Sequence, residues 1–163
     1  MRKILTTIAT GVMTLGALGA MAPAAHARAD AYPCGPQWWH SGQQLYVQTC
    51  PDWAPNNSIP VHEYNDHTSR VVGYIYAPGD DWYVCGWTGS RQTAHGATNY
   101  WWALTVADNG QAGWVNQIYF RGGSDNEPDG GLVICPFYTA KSTADADRIS
   151  GADALKAVTA NAR

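Results

Sequence analysis

Four aromatic and amide side chains are the residues of this chain best suited to chemistry. Tyr64 and Asn65 are neighbours in a polar stretch, while Trp101 and Tyr119 each lie near one end of a run of strand-forming residues. An aromatic face beside a few polar groups can hold a peptide or a sugar without changing covalent bonds. We therefore predict that these four residues contact a ligand. In the alternative, all four are packing residues, because the chain has only two Phe and Trp and Tyr must fill their place.

Catalytic chemistry has weaker support. The polar stretch also contains His62, Glu63, Asp66 and His67. Its two carboxyl groups could cleave a glycoside and its two histidines could hold a metal, although polar loops often contain such residues for solvation alone. A cysteine nucleophile needs a free thiolate beside a histidine, whereas the even cysteine count favours pairing. We predict no catalytic residue, no metal and no cofactor.

The first 27 residues are predicted to be a signal peptide. Arg2 and Lys3 give a charged start, residues 4–20 are apolar, and Ala25-His26-Ala27 fits a small-x-small cleavage site, with Ala27-Arg28-Ala29 as an alternative. A membrane-spanning helix is the poorer alternative, because the apolar run contains four Thr and three Gly and is short for a span of about 20 residues. We therefore expect a secreted protein.

Charge narrows the possible partners. Cleavage after Ala27 removes Arg2 and Lys3 of the ten basic residues and none of the thirteen acidic ones, which leaves a formal net charge of −5. Proteins that bind nucleic acid need basic groups to neutralise phosphates, and anionic membrane surfaces attract basic segments as well. We predict neither a nucleic-acid nor a membrane partner.

The four cysteines, Cys34, Cys50, Cys85 and Cys135, all follow the predicted signal peptide. An even count in an exported chain indicates two disulfides, for which three pairings are possible. We favour Cys34–Cys50, since both lie in one tryptophan-rich segment, and Cys85–Cys135, which would join a predicted strand to the chain that follows the strands. Zinc ligation is the alternative, but the chain has no Cys-x-x-Cys pair.

The middle of the chain has the alternation and turn residues of short antiparallel strands. Trp102, Leu104 and Val106 share one face of a strand, and Asn109-Gly110 is a strong signal for a tight turn. These signals predict an all-β fold with Trp82, Trp87, Trp102 and Trp114 in the core or at its edge. The predicted strands are 59–61, 71–76, 82–87, 100–106 and 110–120, with a long polar loop at 88–99.

Two flanking segments complete the organisation. Residues 28–58 are predicted to be a disulfide-tied arm rich in Trp and Pro, in which Trp38-Trp39 is either a stacking platform or the seal of a core edge; we favour the core. Residues 137–163 are rich in Ala, Thr, Asp and Ser and are predicted to be a flexible tail, mobile or weakly helical and at most loosely docked, with a short helix possible at 150–158.

Four short motifs lie between residues 59 and 122. They are Val71-Val72-Gly73, the strand from Trp82 to Trp87, Trp101-x-x-Leu104 and Gly110-Gln111-Ala112-Gly113-Trp114-Val115 with Tyr119 after it. Together they resemble the bacterial SH3 (SH3b) domain family. The resemblance implies a small SH3-like five-stranded barrel at 59–136 and a secreted protein that binds cell-wall peptidoglycan. It implies a site in which Tyr64 and Asn65 lie in a loop that flanks the binding groove.

The leading hypothesis is a secreted, monomeric, non-catalytic SH3b-like module, extracellular or associated with the cell wall, that binds peptidoglycan peptide or glycan. One alternative is a small secreted protein-interaction module, an inhibitor or an effector, on the same scaffold. The other is a small hydrolase, which requires a free Cys85 or Cys135 or a histidine needed for turnover.

Overall fold

The structure is a computed structural model that describes residues 32–128, 130–137 and 148–162. It is mostly β, as the sequence predicts, and contains two antiparallel sheets. The predicted signal peptide, 1–27, lies outside the described residues, and none of the helices described is long and apolar enough to cross a membrane. The elements are β1 (Trp38–His40), β2 (Leu45–Pro51), β3 (Ser58–His62), β4 (Val71–Tyr76), β5 (Asp80–Tyr83), β6 (Gly86–Ala94), β7 (Ala97–Val106), β8 (Ala112–Asn116), a 3-10 helix (Gln117–Tyr119) and α1 (Gly151–Asn161).

The two sheets do not close into one barrel. The larger sheet has the order β4-β3-β8-β7-β6, so that β4 and β6 form its edges, and the smaller sheet has the order β1-β2-β5. Strand β5 pairs with β2 of the arm, from Gln48 opposite Tyr83 to Pro51 opposite Asp80. The arm is therefore part of the sheet structure, because it supplies two of the three strands in the smaller sheet.

The predicted hairpin at Asn109-Gly110 is present and joins β7 to β8. Gly110 has a φ of 82° and donates its N–H to the Ala107 carbonyl at 2.8 Å. Glycine adopts this conformation without the steric cost that a side chain would add. The turn sets the register in which Leu104 lies opposite Trp114.

The prediction of a long polar loop at 88–99 is wrong. Strand β6 continues to Ala94 and β7 begins at Ala97, and His95 and Gly96 form a tight turn with φ values of 55° and 81°. Most side chains at this end of the hairpin lie at least partly in solvent, so the apolar alternation that marks a strand is missing. The predicted strand at 82–87 is divided between β5 and β6, and the end of the predicted last strand is the 3-10 helix, capped by Asn116.

The larger sheet separates two hydrophobic clusters. Ala103 and Val115 belong to one cluster, whereas Trp102, Leu104 and Trp114, which alternate with them, belong to the other. Both tryptophans are fully buried. The second cluster also contains Leu45 and Val47 of β2 and receives Leu155 and Val158 of α1, so the arm and the C-terminal helix both cover this face.

Both favoured disulfides are present. Cys34 and Cys50 are joined at 2.03 Å, and Cys85 and Cys135 at 1.99 Å. Beside the second bridge, the Gly86 N–H donates to the Val133 carbonyl at 2.7 Å and the Cys135 N–H donates to the Gly86 carbonyl at 3.0 Å. The segment after the strands is thus held to the start of β6 by a covalent bond and two hydrogen bonds.

The C-terminal tail is not loosely docked where the structure describes it. Helix α1 is capped by Ser150, whose hydroxyl accepts the Asp153 N–H at 3.1 Å, and Ala154 is fully buried. Trp114 Nε1 donates to the Ile149 carbonyl at 2.9 Å. A mostly alanine face gives a weak sequence signal, yet small side chains let a helix approach a sheet closely.

The closest contact between α1 and the sheet joins two glycines. A Cβ added to Gly151 would overlap the backbone of Gly113 in β8. We expect Gly151→Ala to lower the free energy of unfolding by about 1–3 kcal/mol, because the helix must move away from the sheet. Urea unfolding measures this loss. Gly35→Ala is the matched control, since its Cβ would meet only the Thr49 carbonyl at an ordinary 3.6 Å; equal losses in the two variants would contradict the close contact.

Candidate functional site

Tyr64 and Asn65 lie in the loop between β3 and β4 but have different roles. The Tyr64 ring is half-buried and lies under the Arg148 guanidinium, 4.3 Å from the ring centre. Asn65 is buried; its Nδ2 donates to the Thr88 carbonyl at 2.7 Å and its Oδ1 accepts the Ile149 N–H at 2.9 Å. The Asn65 side chain therefore ties the loop to β6 and to the tail.

Trp101 and Tyr119 have other neighbours. The half-buried ring of Trp101 is stacked on Tyr100 with 6.1 Å between ring centres. Tyr119 is buried, burial raises the pKa of its hydroxyl, and its ring contacts His95 at 5.9 Å. The four residues predicted from the sequence therefore do not share one exposed aromatic surface.

A group of exposed aromatic residues lies instead on the smaller sheet. Trp38, Trp39 and Tyr46 are 41%, 49% and 57% exposed. Trp39 in β1 lies opposite Tyr46 in β2, and their rings meet edge to face at 5.2 Å. Residues opposite each other in antiparallel strands point to the same side, so Trp39 and Tyr46 form one apolar face. We call Trp38, Trp39, His40, Tyr46 and Trp82, which lie on the two sides of the smaller sheet, the edge surface.

The other side of β1 carries a row of three rings. His40 lies between Trp38, at 5.4 Å, and Trp82 of β5, at 4.6 Å. Trp38 Nε1 donates to Thr49 Oγ1 at 3.0 Å, and His40 Nδ1 accepts the Gln43 N–H at 3.1 Å. These bonds orient the two rings and assign the histidine proton to Nε2. The Trp38 and His40 rings are therefore held in place before any ligand binds.

The interpretation of Trp38-Trp39 as the seal of a core edge is wrong, because both side chains are exposed. Strand β1 has three residues and lies at the edge of its sheet, so no neighbour covers its outer side in the part of the chain that the structure describes. The segment 37–46 contains aromatic residues together with Gln37, Gln43 and Gln44, and it contains no Asp, Glu, Lys or Arg. This neutral, amide-rich context was the available signal for an exposed position.

An apolar groove of about 370 Å³ adjoins the edge surface and shares Tyr46 with it. Leu45 and Val84 line one part, and Ile134, which is exposed, and Val158 of α1 line another. A ligand that stacks on Tyr46 could therefore place an apolar group in the groove. The combination of aromatic faces, amide side chains and an apolar recess suits a neutral ligand with both polar and apolar parts.

The geometry gives little support to the catalytic alternatives. All four cysteines are in disulfides, so no thiol is available as a nucleophile. His62 is buried, which lowers its pKa, and its Nδ1 lies 3.1 Å from the Ser69 carbonyl. The Glu63 carboxylate forms an ion pair with Arg70 at 3.2 Å. Within 32–128, 130–137 and 148–162, no three His, Cys, Asp or Glu side chains converge as metal ligands would.

Comparison with known proteins does not assign the chain to a family. No family model, no curated protein and no solved structure matches it. The function is therefore argued from the edge surface and its surroundings.

Proposed function

We propose that this chain is a secreted, monomeric, non-catalytic SH3b-like module that binds the glycan or peptide of the cell wall through the edge surface. The observation that carries the proposal is the exposure of Trp38, Trp39 and Tyr46 on two adjacent strands. Groups of large aromatic side chains on a protein surface mark interaction sites. A ligand that covers them removes their apolar area from water, which provides a favourable free energy that these side chains do not obtain within the fold.

The chemistry of the surface supports a sugar or a short peptide. The apolar face of a sugar ring can stack on Trp39 or Tyr46, while Gln37 and Gln44, both exposed, can bond to hydroxyl or amide groups. The adjoining groove suits methyl groups of such a ligand. The acidic balance of the chain argues against nucleic acid, and two disulfides are typical of proteins outside the cytosol.

The family assignment is part of the proposal. An antiparallel five-stranded sheet and a 3-10 helix directly after its central strand β8 support an SH3-like fold, although the two sheets do not close into one barrel. Asp52 also bridges Phe120, which brings the chain after the 3-10 helix back to the end of β2. These features, with the motif ending in Trp114-Val115, support the SH3b assignment over other small β folds.

A protein-binding role is the second candidate. Strand β1 pairs only with β2 among the described residues, so its other edge is open to an added strand. Unpaired edge strands bind extended peptides by main-chain hydrogen bonds, with side chains such as Trp38 and Trp39 adding specificity. A secreted inhibitor or effector could use the same surface in this way.

Replacing Trp39 or Tyr46 by alanine is expected to weaken binding to purified cell-wall sacculi by about tenfold or more, because central aromatic residues commonly contribute more than 1.4 kcal/mol. Co-sedimentation at several protein concentrations measures the change. Tyr74→Ala is the matched control, since Tyr74 is 54% exposed on β4, away from the edge surface.

Two outcomes would contradict the proposal. One is that the unmodified protein stays in the supernatant at low salt, and the other is that Tyr74→Ala weakens binding as much as Trp39→Ala. Capture of a defined secreted protein that depends on Trp39, without affinity for sacculi, would favour the second candidate.

A further inference from the structure

The Asp52 side chain and one carboxyl oxygen of Asp81 are buried together where the arm meets β5. Asp52, directly after β2, is fully buried, and Asp81 lies in β5 opposite Cys50. A Cβ built on Gly79 would lie 3.6 Å from Asp81 Oδ2 and 3.9 Å from Asp52 Oδ1. Both oxygens therefore border the same small space in the turn between β4 and β5.

The two carboxyl groups differ in their hydrogen bonds. Asp52 Oδ1 accepts the Gly79 N–H at 3.0 Å, and Asp52 Oδ2 accepts the Tyr83 hydroxyl at 3.0 Å. Asp81 Oδ2 is buried and receives no hydrogen bond from any donor among the residues that the structure describes. A buried anionic oxygen without a donor is costly, whereas a protonated carboxyl can donate to a neighbouring carboxylate.

We propose that Asp52 and Asp81 share one proton, donated by Asp81, and that loss of this proton loosens the attachment of the arm to β5. The proton converts two facing acceptors into a donor and an acceptor. Without it, two negative charges lie side by side, one on the fully buried Asp52 and one on the half-buried Asp81. The contacts at risk are local: the Asp52 N–H donates to the Gly79 carbonyl at 3.1 Å, and the Asp52 carbonyl accepts Arg121 Nε at 2.9 Å.

The surrounding charges favour the proton. Burial is the largest cause that raises the pKa of Asp81, to about 7, followed by its hydrogen bond and charge interaction with Asp52 and by the carboxylates of Asp108 and Asp80. Tyr83 stays neutral, because burial raises the pKa of its hydroxyl well above the usual value. Arg121 is the cation bound here, and it bonds to the main chain of Asp52.

The direction of the pH effect follows from this shift. The pKa of Asp81 is raised from an ordinary 3.8 to about 7, so between these values the folded protein binds a proton that the unfolded chain has lost. The stabilisation from Asp81 is therefore complete below the ordinary pKa and is lost as pH rises through about 7. A salt-bridged carboxylate would have the opposite dependence.

The pair also adjoins the edge surface. Trp82 follows Asp81 in β5, lies opposite Thr49 and contacts the His40 ring. If the proposed function holds, binding to sacculi is expected to weaken between pH 6 and pH 8, because β5 supplies Trp82 to the row of three rings. This consequence rests on the proposed function, whereas the shared proton does not.

The test follows the proton without a ligand. We expect the Asp81 carboxyl carbon of the full chain to titrate near pH 7 by NMR. The urea midpoint should fall from pH 6 to pH 8 in the unmodified protein, by less than the ~1 M that full burial would give because Asp81 is partly exposed, and this fall should be absent in Asp81→Asn, which keeps a donor at every pH. Asp80→Asn is the matched control, an exposed neighbour that should keep the fall.

Titration of Asp81 near its ordinary value, or the same pH dependence in Asp81→Asn as in the unmodified protein, would overturn the proposal. The NMR titration decides the question alone if Asp81→Asn fails to fold. Since both measurements omit sacculi, loss of the cell-wall proposal would leave these results unchanged, and pH-independent binding beside a titrating Asp81 would limit the inference to stability.

Discussion

Replacing Cys85 and Cys135 together by alanine is expected to lower the free energy of unfolding by about 4 kcal/mol, because the bridge closes a loop of 50 residues. A disulfide that closes a long loop restricts the unfolded chain more than one that closes a short loop. Removing the long-loop disulfide therefore lowers the free energy of unfolding more. Both cysteines are buried, so the double substitution does not alter the protein surface. Urea unfolding under non-reducing conditions measures the loss.

The second bridge is the matched control for this prediction. Cys34 and Cys50 are separated by 16 residues, and removing them is expected to cost about 3 kcal/mol by the same relation. A larger loss from the shorter loop would contradict the loop-entropy account. Unchanged unfolding of the unmodified protein in a strong reductant would contradict the stabilising role of both bridges.

Replacing Trp114 by alanine is expected to cost about 3–5 kcal/mol, because a fully buried indole leaves a large cavity. Trp114 also donates from Nε1 to the Ile149 carbonyl, so its loss removes a hydrogen bond that holds the start of α1. Chemical unfolding measures the stability, and amide hydrogen exchange should increase in α1 more than in β3 and β4.

Comparing Trp39→Ala with Trp114→Ala tests whether the loss of stability depends on burial of the tryptophan and not on the residue type alone. Trp39 is 49% exposed and lies on the edge surface, so its replacement should change the free energy of unfolding by about 0.5 kcal/mol or less. This variant therefore loses binding with little loss of stability, whereas Trp114→Ala loses stability. A stability loss in Trp39→Ala as large as that in Trp114→Ala would refute the placement of the edge surface.

Local signals predicted much of the larger sheet. The alternation around Trp102 and Leu104 correctly assigned both residues to a buried face, and Asn109-Gly110 correctly identified a hairpin. The disulfide pairing was also correct: the two cysteines of the tryptophan-rich segment pair with each other, and the other two join a predicted strand to the chain that follows the strands. In each case the decisive information lies within a few residues of chain or in a small set of pairings.

Pairing between distant segments could not be predicted in the same way. Strand β5 follows β4 closely in sequence, yet it pairs with β2 of the arm, and no local pattern distinguishes the two sheets. Asn65 shows the same limit at the candidate site. A polar residue in a polar loop is expected to face solvent, but Asn65 is buried because Thr88 and Ile149, both distant in sequence, supply partners for its amide.

Exposure of the arm aromatics depended on what the rest of the chain leaves uncovered. Trp38 and Trp114 have the same side chain, but Trp38 lies in an edge strand, whereas Trp114 lies in a central strand and belongs to the cluster that receives α1. The sequence alone shows that burying an indole gives a favourable free energy. It does not show whether another part of the chain covers that indole. This is why the edge surface replaced the four predicted residues as the candidate site.

Gly113 and Gly151 meet through their main chains alone. Gly151 cannot accept one more carbon unless the helix shifts, and a Cβ on Gly113 would overlap Val61 and the His62 carbonyl of β3. Homologues that retain this arrangement should therefore show glycine at both positions, which gives a way to recognise distant members from two residues far apart in the alignment. Gly151 is thus the position at which an added side chain would detach the C-terminal helix.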